Sequence, residues 1–183
     1  MHRPNQMAQK MRIALIILLT LCFGITGHAE VIKSTADGFI IQHNVTIAHN
    51  DTSVFKTMTG KVGEWWSPDH SFSNNAGNML IDSDCFCERW GANLVHHLDT
   101  VIWIENSKVV MEGGLGPLKE LGLSGTMIWT LGSTGDDGTA VSWKYYVYGY
   151  TETDLAELAV AVDGVLGEQI GRLVGYLGGD GGK

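Results

Sequence analysis

The sequence predicts an α+β domain: a curved antiparallel sheet of about six to seven strands wrapped around a long C-terminal helix, with short helices after the first strand. Two observations in the last third of the chain predict it. Residues 124–131 alternate, with Met127, Trp129 and Leu131 on one face and Thr126, Ile128 and Thr130 on the other. Gly135-Asp136-Asp137-Gly138 then offers a turn that tolerates positive φ, and residues 139–150 alternate again as the antiparallel partner. After this pair, Leu155, Leu158, Val162, Val165, Leu166, Ile170, Leu173 and Leu177 recur at steps of three and four, the single apolar stripe of a helix over 154–177. At ~1.5 Å rise per residue that helix is roughly 35 Å long, about the span of a ten-residue strand at ~3.3 Å per residue. A helix of this length lying across a curved sheet encloses apolar space, where small ligands bind.

The earlier elements follow in order. Phe39, Ile41, His43, Val45 and Ile47 alternate with more polar neighbours and predict a first strand. It ends at His49-Asn50-Asp51, where Asp51 is the expected N-cap of a helix through Val54, Phe55 and Met58. That helix is interrupted at Gly60, resumes toward Trp65 and Trp66, and is stopped by Ser67-Pro68-Asp69. A polar loop over 70–78 leads to a short strand over 79–82. Residues 85–90 and 94–105 predict a hairpin around Gly91-Ala92-Asn93, and 108–112 a further strand. The loop Gly113-Gly114-Leu115-Gly116-Pro117-Leu118 leads into the final strand pair.

Residues 1–29 predict a cleaved signal peptide. Arg3, Lys10 and Arg12 precede an uncharged apolar run from 13 to 25, and Gly27-His28-Ala29 offers small residues where a signal peptidase reads, so cleavage is expected after Ala29. The apolar run is shorter than the ~20 residues of a membrane span, and no second such run follows. Cys22 is a poor lipoprotein site because Leu21 precedes it. The expected location is periplasmic or secreted, with no integral membrane segment after processing. The mature chain divides into a lead-in over 30–37, one domain over 38–178 and a flexible Gly-rich tail over 179–183. It keeps 9 Lys+Arg against 20 Asp+Glu, a net charge of −11. No basic face is available for phosphates, which argues against nucleic acid as a partner.

The order of strand, short helices, several strands and a long terminal helix is the helix-grip arrangement. The runs GGLGPLKELGLSGTMIWTL, YYVYGY and AVAVDGVLGEQIGRLVGYL resemble bacterial members of the START-like (SRPBCC) superfamily, in the polyketide cyclase and Hsp90-ATPase-activator-like branch. The resemblance covers roughly 38–177. It implies an apolar cavity between sheet and terminal helix, with no fixed catalytic set, because this scaffold hosts carriers, receptors, cyclases and co-chaperones. An exported location departs from the Hsp90 activators.

Strand parity nominates the inward residues. Met127, Trp129, Trp143 and Tyr145 are expected to face the cavity, together with Phe39, Ile41 and His43, the last either a satisfied core histidine or a ligand contact. Trp65 and Trp66 are either a plug on the core or part of a lid. If Gly91 to Asn93 make the turn, Trp90 faces Leu94, Glu88 faces His96 and Phe86 faces Leu98, which places Trp90 at the cavity. It also makes Glu88 and His96 either a proton-transfer pair or a plain cross-strand contact. The same register gathers Cys85, Cys87, His97 and Asp99 on the other face as a soft-metal candidate, which a slip of one residue would alter. Extended residues two apart have Cα atoms about 6.5 Å from each other, so a strained or absent Cys85–Cys87 disulfide is expected. Gly167, Gly171 and Gly175 leave a bare strip on the terminal helix, for packing on the sheet or for a dimer.

Two functions fit. One is an exported binding protein for an apolar or amphipathic small molecule, monomeric or homodimeric and without a cofactor. The other is a cyclase, dehydratase or isomerase-type enzyme using Glu88, His96, His43 or Tyr145. A third reading is an interaction domain whose cavity is filled by its own side chains. No nucleotide loop, nucleophile elbow or metalloprotease helix is present.

Overall fold

The computed structural model describes residues 28–135 and 137–178. The expected leader, apart from its last two residues, and the 179–183 tail lie outside them. The chain opens with a hairpin, β1 (His28–Thr35) and β2 (Gly38–Ile47), followed by the helices α1 (Asp51–Gly60) and α2 (Val62–Trp65). Single 3-10 turns at Pro68–His70 and Ala76–Asn78 lead into β3 (Met79–Ile81), β4 (Cys85–Trp90), β5 (Asn93–Ile104) and β6 (Lys108–Glu112). A third such turn, Gly116–Lys119, precedes β7 (Leu123–Gly135), β8 (Gly138–Gly149) and α3 (Leu155–Gly178). The strands form one eight-stranded sheet in the order β1-β2-β8-β7-β6-β5-β4-β3, antiparallel throughout.

The fold class matches the expectation, with one strand more. β1 covers most of the expected lead-in over 30–37, where Glu30 and Lys33 interrupt any alternation. It needs none: as the sheet's edge it pairs only with β2, from His28↔Asn44 to Thr35↔Gly38, and leaves Ile32 half exposed. Its first two residues precede the expected cleavage point. The α1 N-cap also moves by one position: Asn50, in extended conformation, accepts from Ser53 N at 2.9 Å, and Asp51 is the first helical residue.

Register aligns the inward residues in rows across the sheet. His43 pairs with Trp143, Trp143 with Trp129, and Trp129 with Val109. The two tryptophans stack at 4.7 Å between centroids and 13° between planes, and Trp65 of α2 packs on Trp143 at 5.8 Å. Such contacts contribute about 0.5–1.5 kcal/mol each beyond burial. α3 lies on β1 and β2, capped by Asp154, whose carboxylate accepts from Ala156 N at 2.8 Å. The apolar stripe of α3 divides in two. Leu166, Ile170, Leu173 and Leu177 are buried on the sheet, whereas Leu158, Val162 and Val165 are only half buried, because beneath them the sheet is not filled.

The glycine strip does not act as one surface. A Cβ on Gly167 would come 3.1 Å from His43 Cε1, so this glycine makes room for the histidine. Gly171 and Gly175 have nothing within 4 Å of that position.

Candidate functional site

The unfilled region is a cavity of about 380 Å³, within the usual range for small-ligand sites. Its roof is the first half of α3, with Leu158, Val162, Val165 and Leu166. One side is the segment Trp66 to Phe72, the other the loop around Leu115, Pro117, Leu118 and Leu121, and Met79 and His97 complete the lining. Two further surface clefts, beside Thr35 and Asp154 and at the ends of β7 and β8, are more open and more polar.

Each wall is fixed by identifiable bonds. Arg172 of α3 donates from Nε to Trp65 O at 2.8 Å and from Nη2 to Trp66 O at 3.3 Å, while Gln169 accepts from Ser67 N at 2.8 Å. His70 Nε2 lies 3.1 Å from Glu168 Oε2 at the rim, and hydrogen bonding to Ser67 is the main cause that holds Glu168 below the ordinary carboxylate range. On the opposite side the Tyr145 hydroxyl donates to Gly113 O and accepts from Leu115 N, both at 2.9 Å. Burial raises the pKa of that hydroxyl well above its ordinary value, and its two hydrogen bonds make Tyr145 an anchor of this wall.

Two buried titratable side chains stand at the cavity wall: His97, which lines it, and Glu88 behind it. Both are enclosed, at 0% and 2% exposure. Glu88 accepts from Phe72 N at 2.9 Å and Ser73 N at 2.7 Å, and its Oε2 is 3.4 Å from His97 Nε2. Burial pushes the Glu88 carboxyl up, but the hydrogen bonds from Ser73 and Phe72 and the nearby imidazole outweigh it and leave it below the ordinary value. Burial pushes His97 down, against the pull of Glu88. The result is an ionised carboxylate beside a neutral imidazole that makes no full hydrogen bond to another described residue. The imidazole is held between Phe72 and Phe86, at 5.9 and 5.3 Å between ring centroids. Such a group can bind the polar end of a ligand or take a proton from it, with Glu88 stabilising the imidazolium.

This pair replaces the expected Glu88–His96 pair. The hairpin turn uses only Gly91 and Ala92, so Trp90 pairs with Asn93, Glu88 with Val95 and Cys87 with His96. A β-bulge at His97 then restores Phe86↔Leu98 and Cys85↔Asp99, the pairs expected for the far end of the hairpin. The extra residue lets His97 and Leu98 both point inward, which strict alternation forbids. His96 is left on the outer face, 43% exposed, with Nδ1 3.1 Å from Asp99 Oδ1.

The other candidates are distributed as follows. Trp66 lines the cavity, its ring edge-on to Phe86 and its Nε1 donating to His70 O at 3.0 Å. Trp65, Met127, Trp129 and Trp143 are solid core beside the cavity, and Trp65 Nε1 donates to Thr57 O at 3.0 Å. Trp90 is half buried at the hairpin end, away from the lining. His43 is 2.9 Å from Asp163 Oδ1 and ties β2 to α3, with burial pushing its imidazole below the ordinary value. The expected metal set loses His97 to the interior, and Cys85 and Cys87 form a disulfide with Cα atoms 5.5 Å apart, closer than regular extended residues. Among the missed lining residues, Leu115, Pro117, Leu118 and Leu121 had a signal: an apolar cluster in a loop with no strand or helix to bury it.

No family model and no curated protein matches this sequence. Solved structures do match. An uncharacterised protein from Rhizobium leguminosarum superposes with a TM-score of 0.58 at 12% identity, over 79% of this chain and 97% of that one. CalU16 from Micromonospora echinospora gives 0.53 at 13% identity, over 86% of each chain. Aha1 from Colwellia psychrerythraea, solved as a dimer, gives 0.51 at 15% identity, over 75% of this chain and 95% of that one. The fold is the helix-grip fold. At these identities the likeness speaks to the fold alone. Among the described residues no helix is long and apolar enough to cross a membrane.

Proposed function

We propose that this protein is an exported carrier or sensor that binds one apolar or amphipathic small molecule in the cavity beneath α3. The observation that carries the reading is an apolar cavity of about 380 Å³ whose wall includes the buried His97. A ligand burying about 200–300 Å² of apolar surface there gains roughly 5–7.5 kcal/mol at ~25 cal/mol per Å². Even before the costs of association this gain corresponds to binding no tighter than about micromolar, so His97 supplies further affinity and selectivity for a ligand with a polar end. The leader-like pattern of residues 1–29 supports export, and the acidic balance of the expected mature chain fits neither nucleic acid nor an anionic surface. The working unit is a monomer or homodimer.

The test is native mass spectrometry of the exported protein beside its denatured mass. A mass excess of a small organic molecule, lost on denaturation and weakened in His97→Phe, is the expected result. A bare chain that takes up no apolar ligand on titration contradicts it. The Glu88–His97 arrangement favours one second reading, acid–base catalysis on the same ligand. Conversion of the captured molecule by the native protein and not by His97→Phe identifies that case; release of it unchanged identifies a carrier.

A further inference from the structure

The bulge that turns His97 inward also organises the opposite face of β4 and β5. There His96 stands across from Cys87 and Asp99 across from Cys85. The two sulfurs and one ring nitrogen of His96 all lie within 4.8 Å of one another. Asp99 Oδ1 is 3.1 Å from His96 Nδ1. A carboxylate only accepts, so Nδ1 is the donor in this contact and Nε2 is the nitrogen that the neutral ring offers to a metal. This is the arrangement in which a carboxylate orients a metal-binding imidazole.

We infer that the reduced Cys85–Cys87 pair, together with His96, is a binding site for a soft or borderline metal ion of the Zn²⁺ type, with Asp99 positioning the imidazole and the disulfide being the closed, metal-free state. A dithiol reductant opens the site: its two thiols give two electrons and two protons to the Cys85–Cys87 bond, which breaks into two thiols as the reductant becomes a disulfide. Zn²⁺ then displaces both thiol protons and gains two Zn–S bonds and one Zn–N bond, with a water in the fourth position. With Zn–S of about 2.3 Å and Zn–N of about 2.0 Å, tetrahedral ligand atoms lie roughly 3.5–3.8 Å apart. The three donor atoms already lie within 4.8 Å of one another, and breaking the Cys85–Cys87 bond frees the sulfurs to separate to that spacing. The sulfurs are buried and His96 is 43% exposed, so the imidazole side is the route of entry. Two thiolates and an imidazole favour zinc or cuprous copper over magnesium or calcium.

The test uses the exported protein after removal of the expected leader, so that its two cysteines are Cys85 and Cys87, in oxidised and dithiol-reduced forms, titrated with Zn²⁺ against a chromophoric chelator and with Co²⁺ by absorption. The expected result is one Zn²⁺ per reduced chain, thiolate-to-cobalt charge-transfer bands, and protection of both thiols from alkylation. The oxidised chain shows none of these. His96→Ala, at an exposed position, weakens the site by about 100-fold or more, and Asp99→Asn by about 10–100-fold. Equal metal uptake by oxidised and reduced chains overturns the inference, as does an unchanged cobalt spectrum in His96→Ala. Circular dichroism of the reduced chain separates loss of the site from loss of the fold.

Discussion

The Glu88 carboxylate holds two parts of the molecule at once: Oε2 stands 3.4 Å from His97 Nε2, and the two oxygens accept the backbone N–H groups of Phe72 and Ser73. One buried charge therefore fixes both the imidazole at the cavity and the segment that carries Phe72 over it. Glu88→Gln keeps the shape and removes the charge. Hydrogen bonds to charged groups contribute about 1.5–3 kcal/mol, so a loss of that order is expected in urea unfolding, with faster hydrogen exchange at Phe72 and Ser73.

The pH dependence follows from the same pair. His97 and His43 are held below their ordinary value of 6.5, so the folded state favours their neutral forms. The stability this confers is complete above about pH 6.5 and is lost as the pH falls through the folded values. Glu88, held below its ordinary 4.5, contributes stability that is present above that pH and lost as acid protonates it in the fold. Unfolding free energy is expected to be level near neutrality, to fall on acidification below about 6.5 and to fall further below about 4.5. His97→Gln removes its share of the first decline. Urea midpoints from pH 8 to pH 4 provide the measurement, and a rise in stability between pH 7 and pH 5.5 contradicts the assignment.

Tyr145→Phe deletes a hydroxyl that serves both Gly113 O and Leu115 N. Leaving those groups unpaired is expected to cost about 1–3 kcal/mol. Because Leu115 lines the cavity, ligand affinity falls together with stability, and the effect on affinity is the same at pH 6 and pH 8. A pH-dependent effect would instead assign the hydroxyl a proton-transfer role.

The α3 glycines separate by position. Gly171→Ala and Gly175→Ala add a Cβ into open space and are expected to stabilise by up to about 1 kcal/mol each, the helix propensity difference. Gly167→Ala crowds His43 Cε1 at 3.1 Å and gains little or loses. Chemical denaturation of the three variants distinguishes them.

The strand and helix pattern was legible because it depends on local periodicity: 124–131 alternates and α3 carries its stripe. β1 was not, since a polar edge strand has only one neighbour and no pattern to keep. The site was legible in composition and not in register. Cys85, Glu88, His96 and His97 were all singled out, but a two-residue turn and a bulge at His97 reassigned every pair near the turn. Neither feature leaves a mark that parity reveals. The tryptophans mark the other boundary. Parity placed Trp129 and Trp143 inward, where they are, but not whether they border space or fill it. That depends on the tertiary approach of Trp65, which packs at a tilt on Trp143 and closes that part of the interior.

The most direct test of the cavity as a ligand site is titration with N-phenyl-1-naphthylamine, an uncharged apolar fluorophore, of the native chain and of Ala161→Trp. Ala161 lines the cavity from the solvent edge of α3, so the indole fills the space without disturbing the core. Val160→Trp, at a neighbouring position 68% exposed and outside the lining, is the control. Saturable one-to-one binding by the native chain and the control, weakened about tenfold or more in Ala161→Trp, is the expected result. Binding that is absent, or that Ala161→Trp leaves unchanged, contradicts the account.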